Sequence, residues 1–210
     1  MWEILKKAGI DPALRQSVPT WPQFLRSQAE AILACDFFTA DLLDGTQAYV
    51  LAVIEHATRH IRILGVTLHP TGEWTAQQAR NLMMDLGEQG HRVKFMIRDR
   101  GSNYTAAFDA VFAGAGIRTV LCNVRTPRMS AIAERWIGGC RRELLDRTLI
   151  WNQNHLRQIL HQYETHHNQH RPRRSLHSAA PLPQPVILGK HRVRRQTRAG
   201  GTINEYRLVA

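Results

Sequence analysis

The stretch SAIAERWIGGCRRELLDR, residues 130–147, has the residue spacing of one amphipathic helix. Apolar residues recur at helical intervals and predict a buried stripe formed by Ala133, Trp136, Ile137, Cys140 and Leu144. Glu134 and Arg141 are seven residues apart, which is two turns, so they share a second face of the helix. We therefore expect this helix to pack on a core with one face and to present a carboxylate and a guanidinium with the other.

Two aspartates lie within or directly after apolar runs that are typical of buried strands. Asp36 lies inside AILACDFF, and Asp99 follows VKFMI. A carboxylate in an otherwise apolar strand loses hydration unless a partner or a metal ion compensates it. Together with Glu134, the two aspartates therefore indicate one site for divalent cations. We interpret the other acids as ordinary loop or helix-surface residues: Asp41, Asp44, Asp85, Asp109, Glu143 and Asp146.

Three motifs carry a family resemblance: ACDFF around Asp36, IRDRGSNYT around Asp99, and AERWIGGCRRELLDR around Glu134. Glu134 follows Asp99 by 35 positions, and Arg141 follows Glu134 by seven. In the order and spacing of these motifs the chain resembles the catalytic core of bacterial insertion-sequence transposases and retroviral integrases, the DDE integrase-core family. The segment HHNQHRPRRSL is similar to the end of such cores, so the resemblance covers roughly residues 2–176.

The pattern of strands and helices agrees with that family. Three strand-like runs come first, in residues 29–38, 47–58 and 60–69, with short connections that predict antiparallel hairpins. A helical pattern follows, and strand and helix then alternate up to the Glu134 helix. This order predicts an α/β protein with a mixed five-strand sheet flanked by helices, and the resemblance implies a ribonuclease H-like fold.

Composition divides the chain into three parts. We expect residues 1–28 to be a truncated N-terminal linker, because prolines interrupt them and related transposases have a helix-turn-helix region before this point. Residues 29–178 are expected to form the integrase catalytic core. Residues 179–210 begin with a proline-punctuated linker and continue as a basic C-terminal tail, which is expected either to bind DNA with little fixed structure or to be solvated. The pattern INEYRLV could add one short strand.

Charge and cysteine content indicate the partner and the compartment. The formal net charge of +11 indicates a polyanionic partner, most simply DNA. Three cysteines without paired spacing are typical of a reducing compartment. No run approaches the roughly 20 apolar residues of a membrane span, so no membrane partner is expected. We expect a cytoplasmic, nucleoid-associated bacterial protein.

The family resemblance implies a role for each of the three acids. Asp36 would bridge two Mg²⁺ or Mn²⁺ ions, while Asp99 and Glu134 would each complete one side. The chemistry would be attack of water at the end of a mobile element, followed by attack of the freed 3′-hydroxyl on target DNA. A polynucleotidyl transferase of this kind would hold DNA through basic residues, here Arg141, Arg142, Arg171, Arg173 and Arg174.

Two positions depart from the family pattern: Ser130 replaces a common asparagine, and His167 replaces a tyrosine. Both changes leave the three acids in place. The main expectation is therefore DNA transposition or integration by metal-dependent cleavage and strand transfer, performed by a homo-oligomer or together with a full-length transposase. A catalytically inactive, truncated remnant that binds DNA is the alternative, and a nuclease of the same fold is a third possibility.

Overall fold

A computed structural model describes residues 21–122, 131–173, 176, 179–182 and 192–209 of the 210-residue chain. The first 20 residues, Ser130 and Arg174 lie outside this described part. The strands of the main sheet are β1 (Ile32–Asp41), β2 (Gln47–Glu55), β3 (Ile61–Thr67), β4 (Phe95–Arg98) and β5 (Arg118–Leu121). The α-helices are α1 (Trp21–Ser27), α2 (Gly72–Leu86), α3 (Ala106–Gly114), α4 (Ala131–Glu143) and α5 (Gln153–Gln169). Within the described residues, none of the helices combines the length and apolar character needed to cross a membrane.

The main sheet has the strand order β3-β2-β1-β4-β5. Strand β2 pairs antiparallel with both β1 and β3, whereas β4 runs parallel to both β1 and β5. The antiparallel strands follow one another through short turns, and the parallel strands are reached through connections that contain α2 and α3. The prediction of a mixed five-strand sheet flanked by helices is therefore confirmed.

Side-chain alternation along β1 builds a separate core on each face of the sheet. Ala34 and Phe38 belong to the core that packs against α4 and α5. Leu33 and Cys35 belong to the core that packs against α2 and α3. Asp36 alternates in phase with Ala34 and Phe38, so its side chain faces the layer that contains α4.

The outer edge of β3 is covered by side chains of α5. The Asn168 side chain accepts a hydrogen bond from the Ile61 N–H at 2.9 Å and donates to the Ile61 carbonyl at 2.8 Å. Glu164 accepts from the Ile63 N–H at 3.3 Å. These bonds satisfy backbone groups that an edge strand otherwise offers to another chain. They also hold α5 in place beside the sheet.

The C-terminal segment, expected to be a basic tail with at most one short strand, forms an antiparallel hairpin of β6 (Arg192–Arg198) and β7 (Ile203–Val209). The Glu205 side chain of β7 is fully buried and lies 3.6 Å from both His166 of α5 and His170, which follows the end of that helix. Arg198 of β6 approaches the same carboxylate at 3.4 Å. Because this carboxylate is buried against α5, the hairpin packs on the helix. This segment therefore contains two paired strands, where the sequence predicted one.

Candidate active site

Asp36 lies in the middle of β1, the central strand of the main sheet, and pairs with Ala52 of β2. Its side chain is half-buried. On the other side of β1, Ala34 pairs with Ile97 of the parallel strand β4. Asp36 is therefore level with Asp99, which follows the last residue of β4. Parallel pairing thus places the first two predicted acids at the same height on neighbouring strands.

Asp99 is exposed at the start of the loop after β4. Its Oδ1 accepts a hydrogen bond from the Gly101 N–H at 3.0 Å. A Cβ atom at Gly101 would lie only 3.1 Å from that oxygen, closer than most real Cβ contacts. Glycine therefore permits a tight turn that fixes one oxygen of the Asp99 carboxylate.

Glu134 lies in the first turn of α4 and is exposed, as the helical periodicity predicts. The opposite face is buried by four of the five residues of the predicted stripe, namely Ala133, Trp136, Cys140 and Leu144. The fifth, Ile137, is only half-buried. Burial of this stripe fixes the rotation of α4 and therefore the side of the helix from which Glu134 projects.

Asp99 and Glu134 both lie within electrostatic range of Asp36, because their charges raise the pKa of its carboxyl. Burial is the largest cause that raises the pKa of the Asp36 carboxyl to about 7, and the charge of Asp99 is the next. A backbone hydrogen bond from Phe37 acts in the opposite direction, and Glu134 raises the pKa further. An aspartic acid in water has a pKa of about 3.9. Negative charge is therefore concentrated at a half-buried carboxyl, where a bound cation would relieve the repulsion.

The donor set matches the chemistry of a hard divalent cation, because Mg²⁺ and Mn²⁺ prefer carboxylate oxygens. Within the described residues, however, no group of three or more His, Cys, Asp or Glu side chains is arranged to hold a metal ion. Asp99 and Glu134 are both exposed. The fold thus brings Asp99 and Glu134 near Asp36, although the three side chains are not arranged as one set of metal ligands.

The predicted DNA-binding arginines fall into two groups. Arg141 and Arg142 lie on α4, the helix that carries Glu134, and Arg142 is exposed. Arg171 and Arg173 follow the end of α5 and contact other side chains of the protein. The pair on α4 is therefore the one that the structure places on the same helix as an acid of the site.

Arg171 joins the C-terminal ends of α4 and α5. Its guanidinium forms a two-pronged ion pair with Glu143, in which Nη2 donates to Oε1 at 2.6 Å and Nη1 donates to Oε2. The Tyr163 hydroxyl also donates to Glu143 Oε2, at 2.9 Å. Burial acts to raise the pKa of Glu143, but the bonds from Arg171 and Tyr163 outweigh it and the pKa is lowered. The interpretation of Glu143 as an ordinary surface acid is therefore wrong.

His167, which replaces the tyrosine of the family pattern, is fully buried between α4 and the sheet. Trp136 Nε1 donates to its Nδ1 at 3.1 Å, and its Nε2 lies 3.2 Å from the Arg59 carbonyl. Burial and then the neighbouring Arg173 cation lower the pKa of His167 to about 3. The ring is therefore neutral near pH 7. This histidine has a structural role, because it links α4 to the β2–β3 connection.

Comparison with known families gives a match over part of the chain. Residues 115–181, which include Glu134, match the family model described as "Integrase core domain". No curated protein is significantly similar in sequence to this chain. The matched segment therefore contains the helix of the third acid, while Asp36 and Asp99 lie before it.

The fold is similar to a chain of a solved structure titled "CryoEM structure of simian T-cell lymphotropic virus intasome in complex with PP2A regulatory subunit B56 gamma". The match has a TM-score of 0.56 at 16% sequence identity, and it covers 85% of this chain and 66% of that chain. At this identity the likeness shows the fold, which is the ribonuclease H-like fold of retroviral integrases. Over residues 115–181 the chain is therefore similar to integrase cores, and its fold is similar to that of a chain of a retroviral intasome.

Proposed function

We propose that this chain is the catalytic core of a transposase or integrase that cleaves and joins DNA strands with divalent metal ions. The observation that supports the proposal most strongly is the raised pKa of Asp36, to which burial, Asp99 and Glu134 all contribute. The acid that follows β4 and the acid on α4 thereby act on one carboxyl group of the central strand. Such a convergence is typical of functional sites, where burial and like charges perturb titration.

Each acid has a proposed role that its position supports. Asp36, on the central strand, would hold the divalent ions together with Asp99 and Glu134. When bound, Mg²⁺ or Mn²⁺ would activate the attacking oxygen and neutralise charge on the leaving oxygen of an in-line phosphoryl displacement. The Gly101 N–H holds one oxygen of Asp99 in a defined orientation. The overall reaction is hydrolysis at an element end, followed by attack of the new 3′-hydroxyl on target DNA.

Helix α4 supplies the proposed phosphate contacts. Arg142 lies back over Gly138, where an added Cβ atom would be 3.2 Å from Nη1. Gly138 is one turn after Glu134, so a phosphate bound by Arg142 or Arg141 would lie close to the acids. The other proposed DNA contacts stay predictions: Arg171, Arg173 and Arg174.

We expect Arg142→Ala to lower the affinity for DNA and Arg171→Ala to lower the thermal stability. Arg142→Ala removes an exposed cation, so DNA affinity should fall and the slope of log affinity against log salt should lessen by about 1. Arg171→Ala leaves Glu143 and Tyr163 without their cation, so the Tm should fall by a few degrees. Salt-dependent DNA binding and thermal unfolding measure the two effects. A smaller salt slope and an unchanged Tm for Arg171→Ala would instead make Arg171 a phosphate contact.

A strand-transfer assay tests the proposed function. A labelled duplex made from the DNA that flanks the gene, with free 3′-hydroxyl ends, is incubated with a supercoiled plasmid, the protein and Mg²⁺ or Mn²⁺. We expect labelled duplex to become covalently joined to plasmid only when metal is present. The same reaction with two differently labelled duplexes reports whether two ends are joined to one plasmid. Such paired joining is expected of the proposed homo-oligomer or of an assembly with full-length transposase.

Two other outcomes would reject the proposal in different directions. Metal-dependent nicks without joined products would make the chain a nuclease of the same fold. DNA binding without nicks or joining would support the alternative of an inactive core that binds DNA.

A further inference from the structure

Arg98, the last residue of β4, is almost fully buried, with 7% of its surface exposed. Its Nε donates to Asp109 Oδ1 at 2.9 Å, and its Nη2 donates to Asp109 Oδ2 at 2.6 Å. Asp109 lies on α3, and its sequence context predicted an ordinary surface acid. The structure corrects that interpretation, because Asp109 is the partner in a two-pronged ion pair with a buried arginine.

The same guanidinium also holds the backbone of the proposed metal ligand. Arg98 Nη1 donates to the carbonyl oxygen of Asp99 at 2.8 Å. The remaining face of the guanidinium lies over the ring of Tyr104, at 5.0 Å from its centroid. Contacts with Asp109, with Tyr104 and with the Asp99 carbonyl therefore restrict Arg98 to one position.

Side-chain alternation along β4 explains why the Arg98–Asp109 ion pair lies on the face of the sheet opposite to the three acids. Met96 belongs to the core that packs against α2 and α3, and Ile97 belongs to the core on the α4 side. Arg98 continues the direction of Met96 toward α3, whereas Asp99 continues the direction of Ile97 toward Asp36. The ion pair thus fixes Asp99 from the opposite face of the sheet, without entering the space near the acids.

Asp99 is consequently held at two points. Its carbonyl oxygen is bound by Arg98, and its Oδ1 is bound by the Gly101 N–H. A metal ligand must be held within about 0.5 Å of its productive position, and Asp99 is otherwise an exposed residue at a strand end. The hydrogen bond from Arg98 to the Asp99 carbonyl and the hydrogen bond from the Gly101 N–H to its carboxylate supply that restraint.

We propose that Arg98 and Asp109 are positioning residues that orient Asp99 for divalent-cation binding. This inference rests on the proposed function, since it assigns Asp99 as a ligand. Loss of the ion pair leaves the three acids in the chain but loosens one of them. The predicted consequence is weaker metal binding and slower chemistry, with unchanged binding of DNA.

The experiment compares the wild-type chain with Asp109→Asn, and with Asp85→Asn as the matched control. Asp85 is an exposed acid on α2, away from this ion pair. Mn²⁺ binding is titrated directly by calorimetry, and DNA cleavage is measured over a range of Mn²⁺ concentrations. For Asp109→Asn we expect the Kd for Mn²⁺ to rise by about tenfold or more, as for other partners of metal ligands. Cleavage should recover at high Mn²⁺, while the KM for DNA stays unchanged.

Equal Mn²⁺ affinities for Asp109→Asn and the wild type would overturn the inference, as would a loss of cleavage that high Mn²⁺ does not restore. If Asp109→Asn fails to fold, Arg98→Lys takes its place, because lysine keeps the charge but cannot make the two-pronged contact. If the wild type binds Mn²⁺ but never cleaves DNA, the proposed function fails, and the affinities alone still decide the positioning role. A wild type that binds no Mn²⁺ overturns both.

Discussion

Asp36→Asn is expected to abolish metal-dependent DNA cleavage while making the metal-free protein more stable at pH 8. The change keeps the size of the side chain and removes its charge. Loss of the residue proposed to contact both ions should lower the cleavage rate by more than about 100-fold, since even outer-shell partners of metal ligands are worth 10–100-fold. The opposite signs of the two effects distinguish a functional acid from one that supports the fold.

The expected gain in stability follows from the pKa of Asp36, which burial, then Asp99, then Glu134 raise to about 7. A carboxyl whose pKa is higher in the folded state holds its proton more tightly there than in the unfolded chain. The folded state therefore loses stability as the pH rises from about 4 to about 7, and the loss is complete above that range. Each pKa unit corresponds to about 1.4 kcal/mol, so the gain in Asp36→Asn above pH 7 is at most about 4 kcal/mol.

Thermal unfolding of Asp36→Asn and wild type, with EDTA at pH 8 and at pH 5, measures this effect. We expect a higher Tm for the variant at pH 8 and a smaller difference at pH 5. Added Mn²⁺ should raise the Tm of the wild type more than that of the variant, because a ligand stabilises the state that binds it. A variant that is less stable than the wild type at pH 8 without metal would contradict the account of Asp36 as a destabilised acid.

Trp136→Ala is expected to produce the largest loss of stability among the residues of α4. Only 4% of Trp136 is exposed, and its indole packs against Phe38, Tyr163 and His167. It also donates to His167 Nδ1, so its removal leaves a buried acceptor with one bond fewer. Truncation of a buried tryptophan typically lowers the free energy of unfolding by about 3–5 kcal/mol. Because burial of Trp136 helps to fix the rotation of α4, its removal should also change the orientation of Glu134 and lower the cleavage rate.

Urea unfolding of Trp136→Ala, with Trp151→Ala as the matched control, measures the loss. Trp151 is 64% exposed, so its truncation should change the free energy of unfolding by no more than about 0.5 kcal/mol. Similar effects for the two substitutions would show that Trp136 is not the packing centre of α4.

Hydrophobic periodicity was sufficient to predict the main sheet and the Glu134 helix. The apolar run in residues 32–38 reflects burial on both faces of a strand, and the 3.6-residue period in residues 130–147 reflects burial on one face of a helix. Both are local properties of the sequence. The half-buried Ile137 marks the limit of that reasoning, because the period indicates a stripe but not its width. The closeness of the three acids was expected from their placement in apolar strands and on an exposed helix face, and the family resemblance implied it as well. The raised pKa of Asp36 supports it.

Ion-pair partners were beyond the reach of periodicity. Arg98 and Asp109 are 11 positions apart, and Glu143 and Arg171 are 28 apart, so neither pair shares a helix face. Which charges meet depends on how helices pack on the sheet, and local pattern carries no information about it. The hairpin of β6 and β7 was missed because the residue that it buries against α5 is a carboxylate, Glu205, rather than an apolar side chain.

The most direct test of the central claim is nicking of supercoiled plasmid in Mn²⁺ or Mg²⁺ by the wild type, Glu134→Gln and the exposed-acid control Asp85→Asn. If the three acids form a working metal site, the wild type and the control should nick the plasmid at similar rates, and only with metal. Glu134→Gln should bind DNA equally well and leave it intact. Equal nicking by all three proteins, or DNA binding without nicking by the wild type, would contradict catalysis by Asp36, Asp99 and Glu134 in this chain.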